Sequence, residues 1–186
     1  MNPIRVRKKV VAQLAKIKFK KGIYTFVSKP EDYLTVNKAI CSYLTKNLKF
    51  SGIYVSLNNS CKEMLEKFDK EKIDTNKLLF IESTGQEPKS RINSCISLKN
   101  NRSLTELSLS ISEACKNKKN QFIFFDSVST LLVYNNLETT EQFVHYIVNR
   151  IKNLGLFMVL ISIEDEKSNK LLPILSQFCD KIIRIN

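Results

Sequence analysis

The sequence predicts a three-layer α/β domain on a mainly parallel sheet, with a basic helix in front of it. Three observations carry the prediction. Strand-like runs alternate with helical patterns along the chain: IYTFVS (23–28), GIYVSLNN (52–59), KLLFIES (77–83), FIFFD (122–126), GLFMVLIS (155–162) and KIIRI (181–185). Strands that alternate with helices at this pace pair in parallel and are covered on both faces. FIFFD is an unbroken apolar run and GLFMVLIS the most apolar strand, as expected where both faces are buried. The 186 residues, 43% apolar and 26% charged, suit one domain with a large core. That composition excludes a disordered chain, a collagen-like fibre and a disulfide-stapled miniprotein.

Residues 4–19 set Val10, Val11, Leu14 and Ile17 at helical spacing among Lys and Gln, a basic amphipathic helix that Gly22 ends. Segment 1–21 therefore precedes a domain over 22–186. Pro30 marks a turn after the first strand, and a helix over 34–48 carries Leu34, Ala39, Ile40, Tyr43 and Leu44 near one face. A helix near 60–71 separates the second and third strands. The polar stretch Thr84–Asn101 holds Gly85, Pro88, three basic residues and one candidate short strand, SCISL (94–98). Ser103 and Glu106 form a capping box that opens a helix over 103–117, with Leu104, Leu107, Ile111 and Ala114 inward. A helix over 138–153 closes at Gly155, where a left-handed residue is wanted, and another lies near 168–178. Tyr24, Phe26, Phe122, Phe124 and Phe125 occupy strands and read as core.

The charge is unevenly spread. The chain has 30 basic and 18 acidic side chains, a net charge of +12. Residues 1–21 hold eight of the basic groups and no acid: Arg5, Arg7, Lys8, Lys9, Lys16, Lys18, Lys20 and Lys21. Three readings of this segment are open: a solvated helix packed on the body, a surface for nucleic acid or an acidic partner, and a helix lying on a membrane. Phe19 alone interleaves with the bases, which gives base stacking little support. Five scattered cysteines, Cys41, Cys61, Cys95, Cys115 and Cys179, form no CxxC and read as free thiols of a reducing compartment. The single His145 completes no zinc site of the usual spacing and shares a solvent face with Glu141, Asn149 and Lys152; no metal is expected. No run approaches the roughly 20 apolar residues that cross a bilayer, and no apolar signal core follows the N-terminal charges. The cytoplasm is the expected location.

Ligands of such sheets bind beyond the carboxyl ends of the strands. The first strand–loop–helix, IYTFVSKPEDYLTV (23–36), stands where a phosphate loop would stand. That loop needs glycines to bring backbone N–H groups around phosphate oxygens, a Lys at the helix start and a hydroxyl for magnesium. Laid on G-x-x-x-x-G-K-[ST], Ser28 takes the first glycine, Tyr33 the second and Leu34 the lysine; only Thr35 fits. Glu31 and Asp32 add negative charge beside any phosphate, and Lys29, the nearest cation, lies on the wrong side of the loop. The plainer reading, an ordinary strand–helix turn whose Thr35 is merely polar, is the favoured one. Asp126 has the form of a magnesium-binding carboxylate at a strand end, or of a partner for Ser127 or Ser129. Asn58 and Asn59 follow the second strand, where a hydrolase wants an acid to activate water. Glu82 is the comparable acid of the third strand and reads as solvated.

The order of segments resembles the KaiC-like branch of the RecA superfamily, most closely its short archaeal members linked with signal transduction. GIYVSLNN, SLTELSLSISEA (103–114), FIFFDSVSTLLVYNN (122–136), FVHYIVNRIKNLG (143–155) and LSQFCDKII (175–183) carry the likeness across most of 22–185. The resemblance implies a RecA-type three-layer fold, with Asp126 as the Walker B carboxylate, before a Ser-rich turn, and Thr35 as the Walker A hydroxyl. The Walker A glycines and lysine are missing, and the acidic pair after the second strand is Asn58 and Asn59. Ser28, Lys29, Thr35 and Asp126 thus read as a vestigial nucleotide site. The expected function is that of a catalytically inactive regulatory or adaptor protein, without cofactor, that works through a protein partner such as another RecA-like subunit. Two alternatives stay open. One is an ATP-binding protein that uses Lys29 or Lys38 for phosphate and Asp126 with Thr35 for magnesium. The other is nucleic-acid binding through the basic helix.

Overall fold

The computed structural model describes residues 2–85, 92–100 and 103–185. Among them β1 (Gly22–Ser28), β2 (Ser51–Ser56), β3 (Leu78–Glu82), β4 (Cys95–Ser97), β5 (Asn120–Asp126), β6 (Phe157–Ile163) and β7 (Lys181–Ile185) form one sheet, in the order β4-β3-β2-β5-β6-β1-β7. Every pairing is parallel, so the architecture is the α/β one expected. The apolar FIFFD strand is central, with β6 beside it. The candidate strand at 94–98 is β4, an edge strand. The part of the polar stretch over 86–91, which includes Pro88, lies outside the described residues.

Side chains alternate across a strand, and here both faces are buried and apolar, one of them rich in aromatic rings. Tyr24, Phe26, Tyr54, Phe80, Phe122 and Phe124 share one face with α1 (Pro3–Leu14), α2 (Tyr33–Ser42) and α3 (Cys61–Asp69). Ile23, Val27, Ile53, Ile123, Phe125 and Met158 face α4 (Leu104–Ala114), α5 (Val128–Tyr134), α6 (Leu137–Leu154) and α7 (Glu166–Leu175). The aromatic face is tightly stacked: the Tyr54 and Phe124 rings lie 4.8 Å apart at 9°, and Phe68 meets Tyr54 edge-on at 5.3 Å. Gly52 is required where β2 approaches β5, since a Cβ there would lie 2.6 Å from the Phe122 ring and carbonyl oxygen.

The N-terminal helix is shorter than the 4–19 expected. Asn2 caps it, accepting from the Ile4 N–H at 2.9 Å, and Pro3 occupies its first position. Val6, Val10 and Leu14 are its buried stripe, and Val11 is 37% exposed. The helix stops at Leu14 because KIKFK (16–20) changes period: Ile17 and Phe19 are half-buried and alternate with exposed lysines. The helix expected over 34–48 begins one residue earlier and passes into a π turn over Tyr43–Asn47. Its inward residues are Val36, Asn37, Ala39, Ile40, Cys41 and Leu44, whereas Leu34 is 37% exposed, contrary to expectation.

Of the capping box expected at Ser103 and Glu106, the structure forms the Ser103 half, and a complete box caps α3 instead. Ser60 and Glu63 make a full capping box on α3. On α4, Ser103 accepts from the Glu106 N–H at 3.2 Å. Gly155 ends α6 at φ 77, in the left-handed region. The Ser-rich turn expected after Asp126 is instead a short helix, α5, capped by Ser127.

Candidate functional site

Asp126 ends the central strand, and the register sets it opposite Ser56 on β2. Tyr54 lies two residues before Ser56, so its side chain shares the Asp126 face of the sheet. Tyr33 begins α2, which crosses that face. The Tyr33 hydroxyl donates to Asp126 Oδ1, and the Tyr54 hydroxyl donates to Oδ2 at 2.5 Å. Both carboxyl oxygens are therefore held by phenols. Asn37, one turn beyond Tyr33, is fully buried beside them; its dipole lowers the Asp126 pKa, yet neither amide atom completes a hydrogen bond.

Burial dominates the electrostatics of this cluster. It raises the Asp126 pKa above the ordinary carboxyl value, offset in part by the Tyr33 and Tyr54 hydroxyls, the Asn37 amide and the positive charge of Lys67. Burial first, and the Asp126 charge second, push the Tyr33, Tyr54 and Cys41 side chains well above their usual ranges. A carboxyl so enclosed is a poor ligand for a hydrated cation, because a metal would have to displace two hydrogen bonds and bring water into the aromatic layer.

Ser28, Lys29 and Thr35, the other residues of the expected vestigial site, form no hydrogen bond with the Asp126 carboxyl. Ser28 is buried with its hydroxyl unpaired, and its carbonyl accepts the Glu164 N–H at 2.8 Å. Lys29 is exposed on the loop, and Thr35 is half-buried on α2, outside the set that bonds Asp126. The Leu34 that stands in the lysine's place points outward. Lys38, the other cation considered for phosphate, pairs with Glu71 at 3.3 Å, and Glu71 also takes Arg7 at 3.1 Å.

Asn58 donates to the Thr130 hydroxyl at 2.7 Å and so ties the end of β2 to α5. The Asn59 side chain accepts from Lys67. Tyr54 and Asn37 are parts of this cluster that sequence reading missed. For Tyr54 the signal was its even spacing from Ser56 along one strand, but only the sheet order shows which strand Asp126 adjoins.

Two expectations are corrected beside this cluster. Glu82 is not solvated: it is 5% exposed and accepts the Cys61 N–H. The cysteines are not all free thiols, since Cys61 and Cys95 form a disulfide with Cα atoms 6.3 Å apart. They stand 34 residues apart in the chain, but α3 starts and β4 runs beside the end of β3, which brings them together. Cys41, Cys115 and Cys179 are free.

All eight basic residues of the first 21 are exposed. Lys20 and Lys21 rim an open groove of about 750 Å³ at the amino ends of the strands, with Lys116 and Lys118 opposite and Phe19 and Phe50 among its apolar lining. His145 is exposed, with its ring edge-on to Phe178 at 6.0 Å. Among the described residues no helix is long and apolar enough to cross a membrane.

The family model described as the KaiC ATPase matches residues 40–186. Among solved structures the chain is similar to the KaiC-like protein PH0186 from the hyperthermophilic archaeon Pyrococcus horikoshii OT3. The TM-score is 0.63 over 89% of this chain and 72% of that one, at 10% identity, a likeness that shows the fold. No curated protein matches. The family match spans far more than half of the sequence and includes β2 through β7, with Asp126 at the end of the central strand, so the chain belongs to the KaiC ATPase family.

Proposed function

We propose that this chain is a catalytically inactive KaiC-family protein, a regulatory or adaptor component that works through protein contacts and needs no nucleotide. The observation that carries the reading is the double hydrogen bond of Tyr33 and Tyr54 to Asp126, which occupies both oxygens that a magnesium ion would need. The surrounding chemistry agrees. The loop offers no lysine at the helix start, Lys38 is engaged by Glu71, and amides stand where an acid would activate water. The partner in this reading is another protein, with a second RecA-like subunit the leading kind, and the role is in cytoplasmic signalling or assembly.

Thermal unfolding with ATP and magnesium tests the reading. A ligand at 100 times its dissociation constant stabilises by about 2.7 kcal/mol, so genuine binding is easily seen. The expected result is no shift at millimolar nucleotide and no phosphate release. Turnover that Asp126→Asn abolishes would overturn the proposal. So would nucleotide binding that Lys29→Ala removes, which would favour the unorthodox phosphate loop.

A further inference from the structure

We propose that Cys61, Cys95 and Glu82, with the disulfide opened, form a binding site for a soft divalent cation, Zn²⁺ by its chemistry. The inference is independent of whether Asp126 is catalytic. Glu82 is the last residue of β3, Cys61 the first of α3 and Cys95 the first of β4. The two sulfurs and a Glu82 carboxylate oxygen all lie within 4.8 Å of one another. Tetrahedral zinc with Zn–S bonds of about 2.3 Å holds two sulfurs roughly 3.8 Å apart, within that spread. Opening the bridge to that distance requires rotation of two side chains, not movement of the elements that carry them.

The argument for a cation is the carboxylate. Glu82 is 5% exposed and accepts the Cys61 N–H; no basic side chain among the described residues forms an ion pair with it. Beside a neutral disulfide, the Cys61 N–H is the donor that meets it among the described residues. Two thiolates and the carboxylate carry −3 against the +2 of a dication, and the Cys61 N–H at the start of α3 meets part of the remainder. Two thiolates and one carboxylate exclude magnesium and calcium, which take oxygen ligands, and match zinc with a water in the fourth position. Cys95 is half-buried where Cys61 is buried, so the cation has a side from which to enter.

The disulfide is the oxidised form of the same site. A dithiol reductant transfers two electrons and two protons, giving two thiols and its own disulfide; zinc then displaces the two thiol protons. A disulfide oxidant runs the sequence backwards and releases the ion. Thus a reducing compartment favours the loaded site.

The test uses the full chain, reduced with a dithiol, desalted without oxygen and titrated with Zn²⁺, with Co²⁺ as a spectroscopic substitute. Stoichiometric binding is expected, with thiolate-to-cobalt charge-transfer absorption, both lost in Cys61→Ser and Cys95→Ser and weakened in Glu82→Gln. Should those variants fail to fold, peptide mapping after alkylation of the wild-type chain decides. Zinc should protect Cys61 and Cys95 and leave Cys179 unchanged. Background from Cys41 and Cys115 is low, because burial raises both thiols, the latter to about 11. A reduced chain with two free thiols that takes up no zinc overturns the proposal, as does uptake unaffected by Cys61→Ser. A bridge that opens only when the chain unfolds overturns it too.

Discussion

At the carboxyl end of the sheet the Asp126 carboxyl is buried and bonded to two phenols, and Asn58 and Asn59 tie the neighbouring loop to α5 and α3. At the amino end the same strands open onto a groove of about 750 Å³ rimmed by four lysines, with apolar rings inside. In α/β sheets ligands gather at the carboxyl end. Here that end is packed as core, and concentrated positive charge lies at the other. At one end a buried carboxyl is met by side chains of the fold itself, whereas at the other the lysines stay open to solvent. A buried strand-end carboxyl has to be satisfied, and here two tyrosines do it.

The largest expected effect tests whether the Asp126 cluster is structural. In an ATPase, losing this carboxyl would cost activity and little stability. Here Asp126→Ala leaves the buried Tyr54 phenol and the half-buried Tyr33 phenol unpaired, at up to about 1–3 kcal/mol each, and urea unfolding should show a loss on the order of several kcal/mol. A neutral result would mean that the cluster contributes nothing to the fold. Tyr54→Phe removes one donor from a buried carboxyl and should cost about 1.5–3 kcal/mol in the same measurement.

Titration sharpens the contrast. The folded pKa values of Tyr33 and Tyr54 are raised far above the unfolded ones. Their protonated forms therefore contribute stability that is lost as pH rises beyond the ordinary tyrosine range near 10. Phenolate absorbance should show two tyrosines that ionise only on unfolding. Asp126 acts with the same sign at lower pH. Its raised pKa means that the folded state holds a proton the unfolded chain has released, so its contribution falls as pH rises from the usual carboxyl range through the raised value.

Effects at the amino end should be smaller. Gly155→Ala strains a left-handed turn at φ 77 and crowds Lys21, and should cost about 1 kcal/mol. Lys20→Glu with Lys21→Glu should change stability by no more than about 0.5 kcal/mol while lowering the salt at which the protein leaves a polyanion column. These point changes are cleaner than deleting the basic segment, because Val6, Val10 and Leu14 are core residues of the aromatic face.

Much of the fold was legible because its signals are local. Continuous apolar runs marked β5 and β6, and Gly155 stopped α6 where expected. The end of α1 was misjudged because an apolar residue every third or fourth position overlaps an alternating run from Lys16 to Lys20. The α5 helix was missed because SVSTLLVY (127–134) has turn-forming residues at its start and only two turns of helix to offset them. Ser28, Lys29 and Thr35 were expected as relics of one site on motif alignment alone. In the structure it is Tyr33 from that segment that bonds Asp126.

The order of residues by itself determined the alternating α/β pattern, the two-faced strands, the principal caps and the absence of a lysine and glycines at the first turn. Periodicity and local hydrogen bonding act within a few residues, so they can be read along the chain. Tertiary structure alone decided that Tyr54 reaches Asp126, that Glu82 is buried and that Cys61 meets Cys95. Each of these depends on which strands lie side by side, and parallel neighbours come from distant segments whose pairing is set by packing of the whole sheet.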